Sequence, residues 1–437
     1  MSTTSHDADL RTGKGFSHAW RALRHRNFRL FMTGQGISLI GSWMTRLALS
    51  WLTYRLTGSP LLLGLVGFSG QIGAAILSPF AGVWVDRLDR RKLLVGTQAL
   101  SAMQSLALAF LTLRHVITIH EILALAAVQG LIDAFDMPGR QTFMIQMVGS
   151  AKEDLGNAIA LNSSMVNAAR LVGPAVAGLV IAKLGEGYCF LIDGISYFAV
   201  IVSLLMMRLA GRVSTGRDHE GIGMQMREGW RYVSTFQPVR TILLLFAVSS
   251  IMGMPFVTLL PVFASRVLHG GAHTLAYLTT ASGVGALSSA LVLALRRSVR
   301  GLTRTLLYAS LLFGASLVGF GASHTLWISL LCIAFTGFGM MQGLAGSNTI
   351  IQTVVPEERR GRVMGYYTLA FAGMMPFGSL LAGYLAQHIG ASHTVMLTGS
   401  CVLLGAVWYA TQLRELRREL LPVYLGLGLT RPEPDTA

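Results

Sequence analysis

The stretch GVWVDRLDRRK (82–92) packs two acids and four bases into eleven residues, between an uncharged run that starts at Pro60 and another that starts at Leu93. A hydrocarbon core of about 30 Å needs about 20 apolar residues to cross it as a helix. The two runs are each long enough, so the charged stretch reads as a short loop joining two membrane-spanning helices. Composition agrees. Of 437 residues 52% are hydrophobic and 13% charged, with mean hydropathy +0.56, whereas soluble domains carry about a quarter charged residues. The first 27 residues are polar and basic without an apolar core, so they do not read as a cleavable signal peptide.

Marking apolar runs predicts an all-α integral membrane protein with twelve helices, at about 28–54, 60–85, 93–113, 118–140, 156–184, 187–207, 239–264, 273–295, 304–322, 325–350, 363–387 and 394–412. Five parts follow: an N-terminal segment 1–27, a six-helix bundle 28–207, a linker 208–238, a second six-helix bundle 239–412 and a tail 413–437. Within the linker, GIGMQMREGWRYVSTF (221–236) spaces apolar and basic residues for an amphipathic helix on the membrane surface.

The formal net charge of +15 would suggest nucleic acid in a soluble protein. Its placement says otherwise. If the N-terminus is cytoplasmic, 29 of the 35 Lys and Arg fall on the cytoplasmic side and four (Arg55, Arg114, Lys183 and Arg266) on the other. That asymmetry is the positive-inside pattern, and it predicts both termini in the cytoplasm.

The chain also repeats itself. Gly156, Gly173, Gly178 and Gly185 recur as Gly361, Gly378, Gly383 and Gly390, each pair 205 residues apart, and Glu153 and Glu358 share the offset. The window covers the fifth helix of each set of six. Parallel six-helix repeats belong to a transporter architecture.

Gly82, Asp86, Arg87, Arg90 and Arg91 match the G-x-x-x-D-R-x-x-R-R signature of the major facilitator superfamily, in the loop between helices two and three. Asp89 stands where that pattern usually has a second Gly. The segments GSWMTRLALSWLTYRLTGSP (41–60), FDMPGRQ (135–141), NAARLVGPAVAG (167–178) and PEERRGRVMGYY (356–367) resemble bacterial exporters of the enterobactin-exporter and macrolide-efflux branch. The resemblance covers both halves and implies the major facilitator fold. It implies that Asp86 contacts the start of helix eleven near Gly361–Arg362, where a helix N-terminus favours a carboxylate by about 0.3–2 kcal/mol. Arg90 would then bridge Asp86 to Asp136, with Arg140 nearby, as a latch that closes the cytoplasmic side. Bases alone would satisfy the topology rule, and Arg87, Arg91 and Lys92 need do no more than that.

Charges within spanning helices are costly and mark function. Asp133, then Asp193, then Glu121 are the candidates for carrying protons, and a permanent pairing with Arg is the structural alternative for each. Arg46 and Asp193 lie at similar depths, which predicts a pair. Arg170 has no acid at its depth, so it faces a wet cavity or an anionic group of the cargo. Gln129, Asn167, Gln342 and Tyr366 complete the candidate cavity. Gly173, Pro174 and Gly178 resemble the helix-five motif of antiporters in the superfamily, which argues for export.

Other signals point nowhere chemical. Seven His (His115, His120, His269, His273, His324, His388 and His393) lie near the outer face across four connections, without tight ligand spacing. Cys189, Cys332 and Cys401 form no C-x-x-C. GFGMMQG (337–343) lies inside helix ten with no strand before it and reads as small-residue packing. No phosphate loop, H-E-x-x-H or G-x-S-x-G occurs. The expectation is a monomeric carrier of the bacterial inner membrane, not an enzyme, with no cofactor, metal or nucleic acid. It exports a small lipophilic or amphipathic molecule of the drug or siderophore class against protons. The alternatives are an uptake carrier of the same fold, or a membrane enzyme or receptor.

Overall fold

Inside a bilayer every backbone N–H and C=O must find its partner within the protein, which leaves a chain this apolar little choice but helix. The computed structural model describes residues 21–148, 152–208, 222–296 and 301–426. Twelve long helices order the chain: α1 (Arg26–Thr57), α2 (Pro60–Arg87), α3 (Arg90–Leu113), α4 (Ile119–Val148), α5 (Lys152–Leu184), α6 (Glu186–Met206), α7 (Gln237–Val267), α8 (Ala272–Ala294), α9 (Leu302–Ala322), α10 (Leu326–Val354), α11 (Glu357–Ile389) and α12 (Ala391–Gly426). Among the described residues, the eleven from α2 to α12 contain a stretch long and apolar enough to cross a membrane. α1 has 32 residues, about 48 Å at 1.5 Å each, but Gln35 and Arg46 dilute its apolar run.

Several helices outrun their apolar stretches. α4 continues to Val148, and α12 continues to Gly426 through the charged run RELRREL. α11 starts at Glu357 with acids in its first turn, where they complement the helix dipole. Hydropathy ends where the lipid ends, whereas the helical hydrogen bonds need not.

Both copies of the repeat are built alike. The third helix of each set packs on the sixth, α3 on α6 and α9 on α12. Gly185 and Gly390 both hold positive φ, +95° and +83°, a backbone state that side chains disfavour. A Cβ on Gly173 would sit 3.0 Å from the Ile40 carbonyl oxygen, and one on Gly378 would sit 2.5 Å from that of Ile251. The fifth helix therefore touches the first through the same glycine in each copy.

The copies differ in regularity. α7 contains two π-helical turns, Ser249–Gly253 and Phe263–Val267, and α11 contains one, Leu369–Gly373. Pro255 has no N–H to give to the Ile251 carbonyl four residues back, so α7 cannot stay regular there.

Packing divides the chain into two compact units. One comprises Met1–Ala48, Leu77–Ile117 and Val128–Thr215. Its core gathers Phe28, Phe31, Leu94, Phe143, Val200 and Leu204. A 3-10 turn, Arg21–Arg24, is pinned to α5 by Arg21 on Asp154 at 2.7 Å and by the Ala22 N–H on Asn157 at 2.9 Å.

The other comprises Leu49–Ile76, Thr118–Ala127 and Gly216–Ala437. Its core includes Val239, Phe246, Leu302, Ile350, Val363 and Tyr409. At its base-poor end α2 and α11 meet with almost no side chain between them. A Cβ on Gly64 would fall 2.6 Å from the Ser379 carbonyl, and one on Gly383 would fall 2.7 Å from that of Pro60. Arg266 donates to the Gly58 carbonyl at 2.8 Å, and Ser59 donates to Gln387 at 3.1 Å.

The linker forms a helix over Ile222–Thr235 that docks on α11. Glu228 pairs with Arg362, and the Tyr366 hydroxyl donates to the Met226 carbonyl at 2.9 Å. Met224, Met226 and Trp230 stay uncovered by protein, as an amphipathic helix at a membrane surface requires.

Candidate transport site

The polar groups of the first unit are concentrated where α1, α3, α4, α5 and α6 approach one another. Asp133 on α4 accepts a hydrogen bond from Gln129, one turn back, at 2.9 Å. Gln129 also donates to Ser101 at 3.4 Å, while its own amide oxygen is buried and takes no donor among the described residues. Arg46 on α1 lies within electrostatic range of Asp133.

Asp193 on α6 is 1% exposed, so each oxygen needs a donor. Ser105 on α3 gives one at 2.9 Å and Ser42 on α1 a longer one at 3.4 Å. Gly41 permits this: a Cβ there would lie 2.8 Å from the carboxylate. Depth matching predicts an Arg46–Asp193 pair, but among the described residues Arg46 acts on Asp193 only from electrostatic range. Hydroxyls already satisfy the carboxylate, and the Arg46 guanidinium instead lies over the Trp43 ring at 5.3 Å.

Arg170 lies over the same ring, 5.7 Å from its centroid. A Cβ on Gly173 would lie 2.5 Å from that of Trp43, so the glycine holds α5 against α1 at this level. Pro174, without an N–H, cannot make the regular helical bond to the Arg170 carbonyl. Trp43 is the residue that sequence reasoning missed. Its position three residues before Arg46 put it on the same helix face, but its link to Arg170 needed the α1–α5 contact.

Asp136, one turn beyond Asp133, is 2% exposed. It accepts from Thr97 and from Gln98, both at 2.8 Å, and pairs with Arg140. For the rest of the expected latch, the side chains of Asp86 and Arg87 and the surroundings of Gly82 lie outside what the structure describes. Arg90 opens α3. Arg91 donates to the Leu205 carbonyl at the end of α6. Asp89 has a structural task that a glycine could not perform: it caps α3, accepting from the N–H groups of Arg91 at 3.0 Å and Lys92 at 3.2 Å.

The remaining candidates have other partners. Glu121 caps the start of α4, taking the Thr118 N–H at 2.9 Å and its hydroxyl. Asn167 donates to the Ser163 carbonyl at 2.9 Å on its own helix. Gln342, 4% exposed, accepts from Ser289 at 2.8 Å between α8 and α10. Tyr366 faces the linker helix. Gly178 lies on α5 one turn beyond Pro174. Among the described residues no cluster of His, Cys, Asp and Glu could hold a metal.

The family described as transmembrane secretion effector matches residues 17–422. The chain is 26% identical to the staphyloferrin A transporter of Staphylococcus aureus, over 87% of this chain and 95% of that one. It is 29% identical to the multidrug efflux pump Tap of Mycolicibacterium fortuitum, over 86% and 93%. Macrolide efflux protein A of Streptococcus pyogenes is 23% identical, over 90% and 96%. In fold the chain resembles a bacterial homologue of the human lysosomal transporter Spinster, crystallised inward-facing and occupied, with a TM-score of 0.70 at 12% identity over 93% and 98%. It also resembles the nucleoside transporter NupG, with a TM-score of 0.67 at 14% identity over 91% and 99%. The family match runs over nearly the whole chain, both six-helix sets included, and the chain belongs to the transmembrane secretion effectors of the major facilitator superfamily.

Proposed function

We propose that the protein exports a small lipophilic or amphipathic molecule, of the drug or siderophore class, across the bacterial inner membrane in exchange for protons. Both termini face the cytoplasm, and the six-helix sets 28–207 and 239–412 alternate access to one central site. The relatives named for multidrug and macrolide efflux support the direction, and the one named for staphyloferrin A transport supports a siderophore-class cargo. The observation that carries the proton is the Asp133–Gln129 pair. The amide of Gln129 donates to the ionised acid, and by rotating half a turn it would offer its oxygen to the protonated one. A carboxylate whose neighbour suits both charge states is fitted to change between them. Arg46, at electrostatic range, limits the cost of the ionised state.

Everted membrane vesicles with an imposed proton gradient (acid inside) should accumulate at least one member of a panel comprising a macrolide, a siderophore and an aromatic carboxylate. Accumulation should collapse on adding an uncoupler. Uptake of every member at the rate of vesicles lacking the protein would end this reading.

The charged turn is the proposed latch on the cytoplasmic side, with Asp86 as its acid. Asp86→Asn preserves shape and removes charge, so insertion and expression should be normal while export falls severalfold. Wild-type export at equal expression would reduce the turn to a topology signal.

A further inference from the structure

Near the middle of the first unit two guanidiniums share one indole, with no acid in contact with either among the described residues. Arg46 and Arg170 lie 5.3 and 5.7 Å from the centroid of Trp43. They are close enough to act on each other electrostatically as like charges. The two acids within range of Arg46 are engaged elsewhere, Asp133 by Gln129 and Asp193 by the hydroxyls of Ser105 and Ser42. Two cations drawn together in a medium of low dielectric repel one another far more than in water. A bound anion would turn that repulsion into attraction, and a guanidinium fork suits a carboxylate in particular.

The surroundings define the rest of the ligand. α1 and α5 run in the same direction, since Phe28 and Phe31 share a core with Ala158 while Ile40 and Trp43 meet Gly173 further along. From the level of Trp43 toward the start of both helices lies an apolar groove of about 320 Å³, lined by Gly36, Ile37, Ile40, Met165, Ala168 and Val172. Its wall offers almost no polar surface. Charge therefore sits at one end of an apolar trough.

Building on the exporter reading, we infer that the cargo is an amphipathic organic anion, its carboxylate bridging Arg46 and Arg170 beside Trp43 and its apolar body lying in the groove between α1 and α5. Expelling such an anion against incoming protons moves positive charge inward, so export accelerates as the inside becomes more negative.

The test is calorimetric titration of the full-length protein, in nanodiscs of zwitterionic lipid, with naphthoate, neutral naphthamide and cationic naphthylmethylammonium. Naphthoate should bind tightest. Arg46→Gln and Arg170→Gln should each weaken it by roughly 10–100-fold, the worth of a hydrogen bond to a charged group in a desolvated site. Both variants should leave naphthamide unchanged, and Arg170→Lys should keep part of the preference for the anion. Unchanged naphthamide binding also shows that the variants are folded. Equal or tighter binding of the amide or the cation would overturn the proposal, as would absence of naphthoate binding or an intact preference in Arg170→Gln. Loss of naphthoate binding on adding phosphatidylglycerol would assign the arginines to an anionic lipid and overturn it as well. The exporter reading is tested separately in vesicles. Transport without preference for anions would leave the exporter and remove this cargo, whereas anion-selective binding without transport would do the reverse.

Discussion

Everted vesicles carrying Asp133→Asn should exchange cargo between equal pools and yet fail to concentrate it. Asparagine keeps the size of the side chain and the hydrogen bond to Gln129, but cannot gain or lose a proton. The fold and the binding groove should therefore survive while uphill export is abolished. Counterflow of a labelled substrate at zero gradient, compared with accumulation under an imposed gradient, separates the two activities. If the variant still concentrates substrate, protons enter elsewhere, and Asp193 on α6, buried among hydroxyls, is the next residue to change.

A second variant acts on the fold. Asp136 is the shared acceptor of Thr97, Gln98 and Arg140, and it is almost wholly enclosed. Asp136→Ala leaves a guanidinium and two neutral donors without it, and breaking a buried ion pair from one side costs about 3–5 kcal/mol. The purified protein should melt well below wild type. Adding Arg140→Leu to Asp136→Ala should recover a good part of the loss, because the stranded charge goes with its partner. An unchanged melting temperature for Asp136→Ala would mean that water reaches Arg140 freely and that the network is no support for α3 and α4.

How much of this the sequence disclosed depends on the range of the forces involved. The twelve helices were legible because hydropathy acts locally, and the repeat was legible because Gly185 and Gly390 are needed at one unusual backbone angle. Helix ends were less so: at 357–362 the run EERRGR carries no apolar signal, yet it is helical because its acids suit an N-terminus. The depth of Arg46 and Arg170 could be counted along each helix. That both rest on Trp43 could not, because the contact depends on how closely α5 approaches α1, which Gly173 decides. Tyr366 shows the same limit. On a helical wheel it is an aromatic residue near a cavity, and only the linker helix lying across it shows what its hydroxyl serves.

The irregular turns of α7 and α11 have a joint consequence. The Ser250 hydroxyl, inside the first π-turn of α7, donates at 2.8 Å to the carbonyl of Phe371, inside the π-turn of α11. Each wide turn holds one residue more than a regular helix would, and a single stitch ties the two surpluses together. To straighten either helix is to slide one end of it by about one residue, 1.5 Å, and to pull the stitch, leaving a fully buried hydroxyl unpaired at about 1–3 kcal/mol. The two surpluses are therefore held in step: α7 and α11 keep or release them as a couple, like two gears on one pin, while α1 and α5, wholly α-helical over their described residues, have no such play.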